Sequence, residues 1–416
     1  MALLGTMIKT LMVALLAFAA LALPAEAATF SMKRGLNLDQ WVTWPTEDKW
    51  GDREAILPYP EWRKFLKEDD LEALKDAGLD FLRMPVDPSP FLSDQTTALR
   101  GDLYAGVLDS ARMINRAGLK VIVDLHLIPA GGNRKIGMSE MMDDPATFDA
   151  YVEIVRNMAK TFATEDPRLV ALELMNEPIV DCDENGTDLW PERQKQLFAA
   201  ARASATRLTL VLTGGCYSNA ASLAKVDPKA IPDDNIIWAF HSYDPFLLTH
   251  QGATWAGDFI QYVTGLPYPP TAIPKARLDM ALDTIRGRIR AEAPSARQSG
   301  MLAYLDEQVA TMDSPEKLLA AMEAPFKTVD AWAKANGIKP QDITLGEFGM
   351  IRKEYGNGFV MPAAYRAAYV RDMIARAEAH GFSWSVWSYG GAFGIVDAFD
   401  GQKAEPDVMD VIRSLR

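Results

Sequence analysis

From residue 28 onward, short apolar runs rich in β-branched and aromatic residues alternate with longer stretches whose apolar positions recur at helical spacing. The short runs are MKRGLNL, DFLRMPV, KVIVDLH, LVALELMNE, TLVLTGG, IIWAFHSY, ITLGEFG and FSWSVWSY, eight in all. Their length, and the turn residues that bound them, predict buried strands. Between them, DDLEALKDAG puts Leu71 and Leu74 on one face and stops at Gly78. DPATFDAYVEIVRNMAKTF opens on Asp144-Pro145, a helix start, and keeps Phe148, Val152 and Val155 in helical phase. PAAYRAAYVRDMIARAEAHG runs to another stop at Gly381. Strands separated by single helices predict an α/β fold with a parallel sheet. Eight such units without a reversal of order predict a closed (β/α)8 TIM barrel. An open doubly wound sheet is the rival, but the Gly-rich dinucleotide loop of such folds is absent.

Two stretches break the rhythm. One follows Asn37 and carries Trp41, Trp44, Trp50 and Trp62; the other runs from Tyr243 to Ile343 and holds more than one helix, including DSPEKLLAAMEAPFKTVDAWAKANG. Both are predicted as enlarged loops, after strands one and six. They leave the C-terminal ends of strands, the rim on which barrels build their sites.

The start of the chain differs from everything after it. Lys9 precedes LMVALLAFAALAL, then Pro24 and the small-residue triplet Ala25-Glu26-Ala27. This is the order of a signal peptide, so residues 1–27 are set apart and residues 28–416 are expected to form a single barrel domain. The mature protein is then expected to be secreted or periplasmic, without stable membrane insertion after cleavage. Hydrophobic residues make up 49% and charged residues 24%, an ordinary globular balance that permits a sizeable core. The net charge of −13 argues against a nucleic-acid partner, which needs clustered Lys and Arg, and against adhesion to anionic lipid.

Polar residues collect at the predicted strand ends. Arg83 follows Phe81-Leu82, His126 ends VIVDLH, Asn176-Glu177 follow LELM, and His241 with Tyr243 follows IIWAF. Glu347 follows ITLG and Trp387 follows SWSV. A barrel gathers these ends on one rim, where Glu177 and Glu347, from strands four and seven, face each other across the mouth. Glycoside cleavage needs such a pair: one carboxyl protonated to donate to the leaving oxygen, the other ionised to attack the anomeric carbon. Arg83 and Tyr243 are expected to keep Glu347 ionised, lowering its pKa. His241 is expected behind Glu177, and Asn176 at the sugar 2-hydroxyl. Aromatic rings supply stacking platforms for the apolar faces of sugars. Trp387, Trp41 and Trp44 are the leading candidates, with Trp255, Tyr262, Tyr268 and Tyr389 behind them; Asn37, Asp39 and Gln40 are candidates for hydroxyl contacts. Asp124 and His126 share a strand face as metal ligands would, but no second His cluster follows and the chain has four His, so no metal and no cofactor is expected. A Gly-x-Ser-x-Gly nucleophile elbow does not occur.

LELMNEP followed much later by LGEFG resembles glycoside hydrolase family 5, the cellulase-like retaining β-glycanases. The resemblance runs from RGLN at Arg34 to the final WSVWSY. It implies Glu177 as acid/base and Glu347 as nucleophile, supported by Arg83, His126, Asn176, His241, Tyr243 and Trp387. The implied activity is hydrolysis of a β-linked oligo- or polysaccharide with net retention, most simply as an endo-β-glucanase. Transglycosylation by the same two Glu residues, and a non-catalytic glycan-binding envelope protein, are the alternatives. A retaining mechanism predicts carboxyl groups roughly 5–5.5 Å apart. Cys182 and Cys216 follow strands four and five, whose loops are neighbours, and are expected to pair; the alternative is two buried free thiols.

Overall fold

The computed structural model describes residues 29–39, 41–42, 44–57, 66–128, 135–183, 189–398 and 402–415. The expected signal peptide, Gln40 and Trp62 lie outside the described residues. Eight parallel strands close into a barrel in sequence order: β1 (Arg34–Asn37), β2 (Phe81–Val86), β3 (Lys120–Leu125), β4 (Val170–Glu173), β5 (Thr209–Thr213), β6 (Ile236–His241), β7 (Ile343–Glu347) and β8 (Ser383–Val386). This is the (β/α)8 architecture expected from the alternation. The helices between strands include α1 (Glu68–Asp76), α2 (Arg100–Arg116), α3 (Pro145–Phe162), α4 (Leu189–Ser204) and α5 (Ala220–Leu223). After β6 come α6 (Lys275–Glu292), α7 (Ser295–Ala310) and α8 (Pro315–Asn336); α9 (Ala363–His380) follows β7 and α10 (Asp407–Arg413) follows β8. Gly337 and Gly381 end α8 and α9 in the left-handed conformation, which lacks a steric penalty only for glycine.

Alternation along each strand sorts its residues. Leu82, Met84 and Val86 of β2 and Val121, Val123 and Leu125 of β3 join the large core under the helices. The alternate residues Phe81, Ile122, Ala171, Val211, Ile237 and Ala239 form a second core inside the barrel, closed below by Phe30 and Met32. With both faces buried, the strands read as nearly continuous apolar runs. Phe81 is fully buried and fills the space beside Gly35, where a Cβ at residue 35 would run into the Phe81 ring. One step higher, the inward residues become Asn37, Arg83, Asp124 and Glu173, all buried. Parallel pairing aligns Asp124 with Glu173. Between β6 and β7 the register shifts at Phe240/His241, so that His241 comes level with Glu347 rather than Gly346. An irregularity of this kind re-aims a side chain.

The enlarged loops fall after β1 and β6. The helix after β5 is only a single turn, and α8 packs against it; Trp332 of α8 donates its indole N–H to the Val226 carbonyl (2.9 Å) and meets Trp238 of β6 edge-on. Among the described residues, no helix is long and apolar enough to cross a membrane.

Candidate active site

Arg83 stands at the centre of the upper barrel, fully buried. Its Nε and Nη2 donate to the two oxygens of Glu173 (2.7 and 2.9 Å), and its Nη1 donates to Glu347 (2.7 Å) and to Asn37 Oδ1 (3.0 Å). Nη2 also reaches Asn176 Oδ1 (2.7 Å) and Asp124 Oδ2 (3.0 Å). One guanidinium therefore faces three carboxylates. A planar fork of N–H donors suits this task, where a lysine would offer a single point charge.

Glu347, at the end of β7, also accepts from the Tyr243 hydroxyl (2.9 Å). Glu177 follows β4 and contacts His241, whose Nδ1 lies 2.8 Å from Glu177 Oε1 and 3.7 Å from Glu347 Oε2. Ligand atoms of Glu177, His241 and Glu347 all lie within 4.8 Å of one another, a geometry that would also suit a cation. Burial pushes the Glu177 carboxyl up to about 7, and pushes the His241 imidazole down to about 4, so His241 is neutral near pH 7. Burial raises Glu347 too, outweighing the pull of Arg83. The expectation that Arg83 and Tyr243 lower the Glu347 pKa is corrected here. Both contacts exist, but burial outweighs them and Arg83 is shared among three acids.

Glu177 has a φ of 39°, and its loop neighbour Asp181 a φ of 57°. Left-handed backbone at a non-glycine costs on the order of 1–3 kcal/mol and persists only where surrounding contacts hold it. Those contacts come from the loop after β5. Tyr217 N donates to the Pro178 carbonyl (3.1 Å), Cys216 N donates to the Val180 carbonyl (2.9 Å), and Cys182 and Cys216 form a disulfide with Cα atoms 4.7 Å apart.

His126 and Trp387 stack with ring centres 5.5 Å apart, and the partly exposed Trp387 lies beside the acidic cluster. Trp41 and Trp44 do not join it as platforms. They are 3% and 7% exposed and belong to the core under the first loop, with the Trp44 indole N–H donated to the Asp87 carbonyl (2.8 Å) and its ring edge-on to Phe91. The loop folds Trp41, Trp44 and Trp50 inward because their apolar area gains more from burial than from standing in water. Tyr268 is likewise buried, its hydroxyl donated to Asp372 (2.6 Å). Trp255 is exposed and connects to Tyr243 through the ring of His250.

Sequence reasoning missed Glu173, which it read as part of a strand. The available signal was its period-two spacing from Ala171, which turns a carboxylate into the barrel and demands a cationic partner there. Asp39 is a further, half-buried acid near the site, pushed up to about 7 by desolvation although it accepts from Gly390 N (2.9 Å).

The family model described as Cellulase (glycosyl hydrolase family 5) matches residues 44–393. Endoglucanase C of Acetivibrio thermocellus is 26% identical over 240 residues, which are 58% of this chain and 65% of that protein, so the chain spans just under two thirds of this relative. Among solved structures, the cellulose synthase subunit Z of Clostridioides difficile superposes with a TM-score of 0.62 at 21% identity, covering 92% of this chain and 99% of that one. Thermotoga maritima Cel5A, solved with cellobiose, gives 0.62 at 18% identity over 92% and 97%. These likenesses establish the fold. The family match extends from the first loop, through both carboxylates, to the segment after β8, and by it this chain belongs to glycosyl hydrolase family 5.

Proposed function

We propose that the protein is a retaining glycoside hydrolase that cleaves a β-linked glucan internally, an endo-β-glucanase working by double displacement. The observation that carries this reading is the close approach of Glu177 and Glu347, with one carboxylate oxygen of each within 4.8 Å of the other. Retaining pairs stand roughly 5–5.5 Å apart; inverting pairs stand about 6.5–9.5 Å apart to admit a water.

The two roles follow from the partners. Glu347 touches a permanent cation and a hydroxyl donor, both of which favour its ionised form and aim its oxygens. Among the described residues, Glu177 has a neutral imidazole as its hydrogen-bond partner and is raised to about 7 by burial, so it holds a proton near neutral pH. Glu347 attacks the anomeric carbon while Glu177 protonates the departing oxygen; Glu177 then takes a proton from the water that releases the sugar. Two carboxyl groups suffice, and no cofactor is required. The relatives, an endoglucanase and a Cel5A solved with cellobiose, support a β-glucan substrate. Export to the periplasm or the medium is part of the proposal, supported by the signal-like residues 1–27 and by a disulfide of the kind that persists in oxidising compartments.

The test is a panel of β-glucans, mannans and xylans, followed by Glu177→Ala assayed on a dinitrophenyl β-cellobioside. This leaving group needs no proton, so the glycosyl-enzyme should accumulate, and azide should release it as the β-azide. An α-azide product would reverse the roles, and no turnover of any β-glycan by the wild type would refute the activity.

A further inference from the structure

Asp124 lies within β3, fully buried and level with Glu173 of the acidic cluster. Its Oδ2 lies 2.8 Å from His126 Nδ1 and is ion-paired with Arg83 Nη2 at 3.0 Å, while its Oδ1 is buried with no hydrogen-bond partner among the described residues. His126 Nε2 faces Asn176 Nδ2 (3.2 Å), and Asn176 Oδ1 returns to Arg83 Nη2 (2.7 Å). The four side chains form a closed ring of polar contacts.

Only one assignment of donors satisfies that ring. A guanidinium has donors and no acceptor, so the amide atom facing Arg83 must be the oxygen of Asn176. The Asn176 nitrogen therefore faces His126, and Nε2 must accept. The proton of the neutral imidazole then sits on Nδ1, where Asp124 receives it. We infer that Asp124 is a positioning residue for substrate recognition: by holding the Nδ1–H tautomer of His126, it acts together with Arg83 to fix the Asn176 amide so that an N–H rather than a carbonyl oxygen is offered to the sugar 2-hydroxyl. The inference rests on the proposed glycosidase reading, in which Asn176 meets that hydroxyl beside Glu177. Without Asp124, His126 is free to carry its proton on Nε2. That N–H would oppose the amide nitrogen, and relief by an amide flip would set nitrogen against Arg83. Glu173 and Glu347 would still neutralise Arg83, so the loss is one of hydrogen-bond direction as well as charge.

Two variants separate these effects. Asp124→Ala removes the acceptor. Asp124→Asn keeps one, because Arg83 and His126 present only donors and force the amide oxygen into the Oδ2 seat. Each is assayed on an aryl β-cellobioside and on its analogue lacking the 2-hydroxyl in the sugar next to the aryl group. Wild type should prefer the hydroxylated substrate strongly in kcat/KM. Asp124→Ala should reduce that preference by about tenfold or more, the size of a lost directional hydrogen bond to the transition state, and Asp124→Asn should retain most of it. Equal loss in both variants would make Asp124 a mere counter-charge, and an unchanged preference in Asp124→Ala would overturn the inference. If Asp124→Ala does not fold, imidazole ¹⁵N NMR of the wild type decides: His126 should be protonated on Nδ1, and protonation on Nε2 refutes the relay. Failure of the underlying glycosidase reading is distinguishable, since the wild type would then turn over neither substrate.

Discussion

The lower and upper halves of the barrel interior are built by the same strands, two residues apart, and do opposite work. Below, Phe81, Ile122, Ala171, Val211 and Ile237 pack with Phe30 and Met32 into a dry apolar plug. Above, Arg83, Asp124 and Glu173 take the next inward positions on three of those strands and meet Glu347 from a fourth. The plug gains from burial, at roughly 1.5–3 kcal/mol for a large apolar side chain. The upper layer opposes burial: desolvation pushes Asp39, Asp124 and Glu177 each up to about 7. The comparison teaches that the lower layer supplies the rigidity against which the upper layer keeps strained, partly protonated groups in place.

The sharpest way to break the comparison is Glu347→Ala. It should lower kcat on every glycoside by on the order of 10⁴-fold or more, since no covalent intermediate forms, while the unfolding midpoint moves little. Substantial residual turnover would remove Glu347 from the chemistry. Phe81→Ala should do the reverse. The cavity should cost about 3–5 kcal/mol in chemical denaturation, with kcat per folded molecule within a few-fold of wild type. A large fall in kcat at full folding would mean that the two layers are not separable in this way.

Part of this contrast is legible in the amino-acid sequence. Regular strands leave little choice about where the next residue goes, so Arg83, His126, Asn176, Glu177, His241, Tyr243, Glu347 and Trp387 can be assigned to one rim from their order alone. Trp41 and Trp44 cannot, because the facing of a ring in an irregular loop depends on how that loop folds back, and here it folds into the core. The role of Asp124 is hidden for another reason. Its alternation with Ile122 shows that it points inward, but the partner that gives it meaning, Asn176, comes from another strand by way of His126. The level alignment of His241 with Glu347 depends on a register shift that no local pattern announces.

Two smaller effects sharpen the contrast. Glu177 must be protonated to donate, so kcat/KM should fall as pH rises through about 7. The same shift acts on stability. An unfolded carboxyl titrates near about 4, so the folded state holds the extra proton between about 4 and 7. The stabilisation tied to that proton is complete below about pH 4 and is lost as pH rises through about 7. Glu177→Gln should therefore gain stability relative to wild type as pH rises across this window, whereas Phe81→Ala should stay parallel to wild type. A difference between Glu177→Gln and wild type that is flat with pH would contradict burial as the cause. Smallest of all, exhaustive chelation should leave the rate unchanged, because the proposed mechanism uses no ion between Glu177, His241 and Glu347. A loss restored by a divalent cation would turn that trio into a metal site.

The contact between Gly35 and Phe81 limits which substitutions the barrel floor can accept. These positions lie on neighbouring strands in direct register, and a single methyl at 35 would enter the ring at 81. Neither residue is free to drift alone: a side chain at 35 requires a smaller one at 81, and a Phe at 81 requires the glycine. The floor of the barrel therefore accepts exchange at these two positions only as a pair, whereas the long loops after β1 and β6 lie outside that constraint.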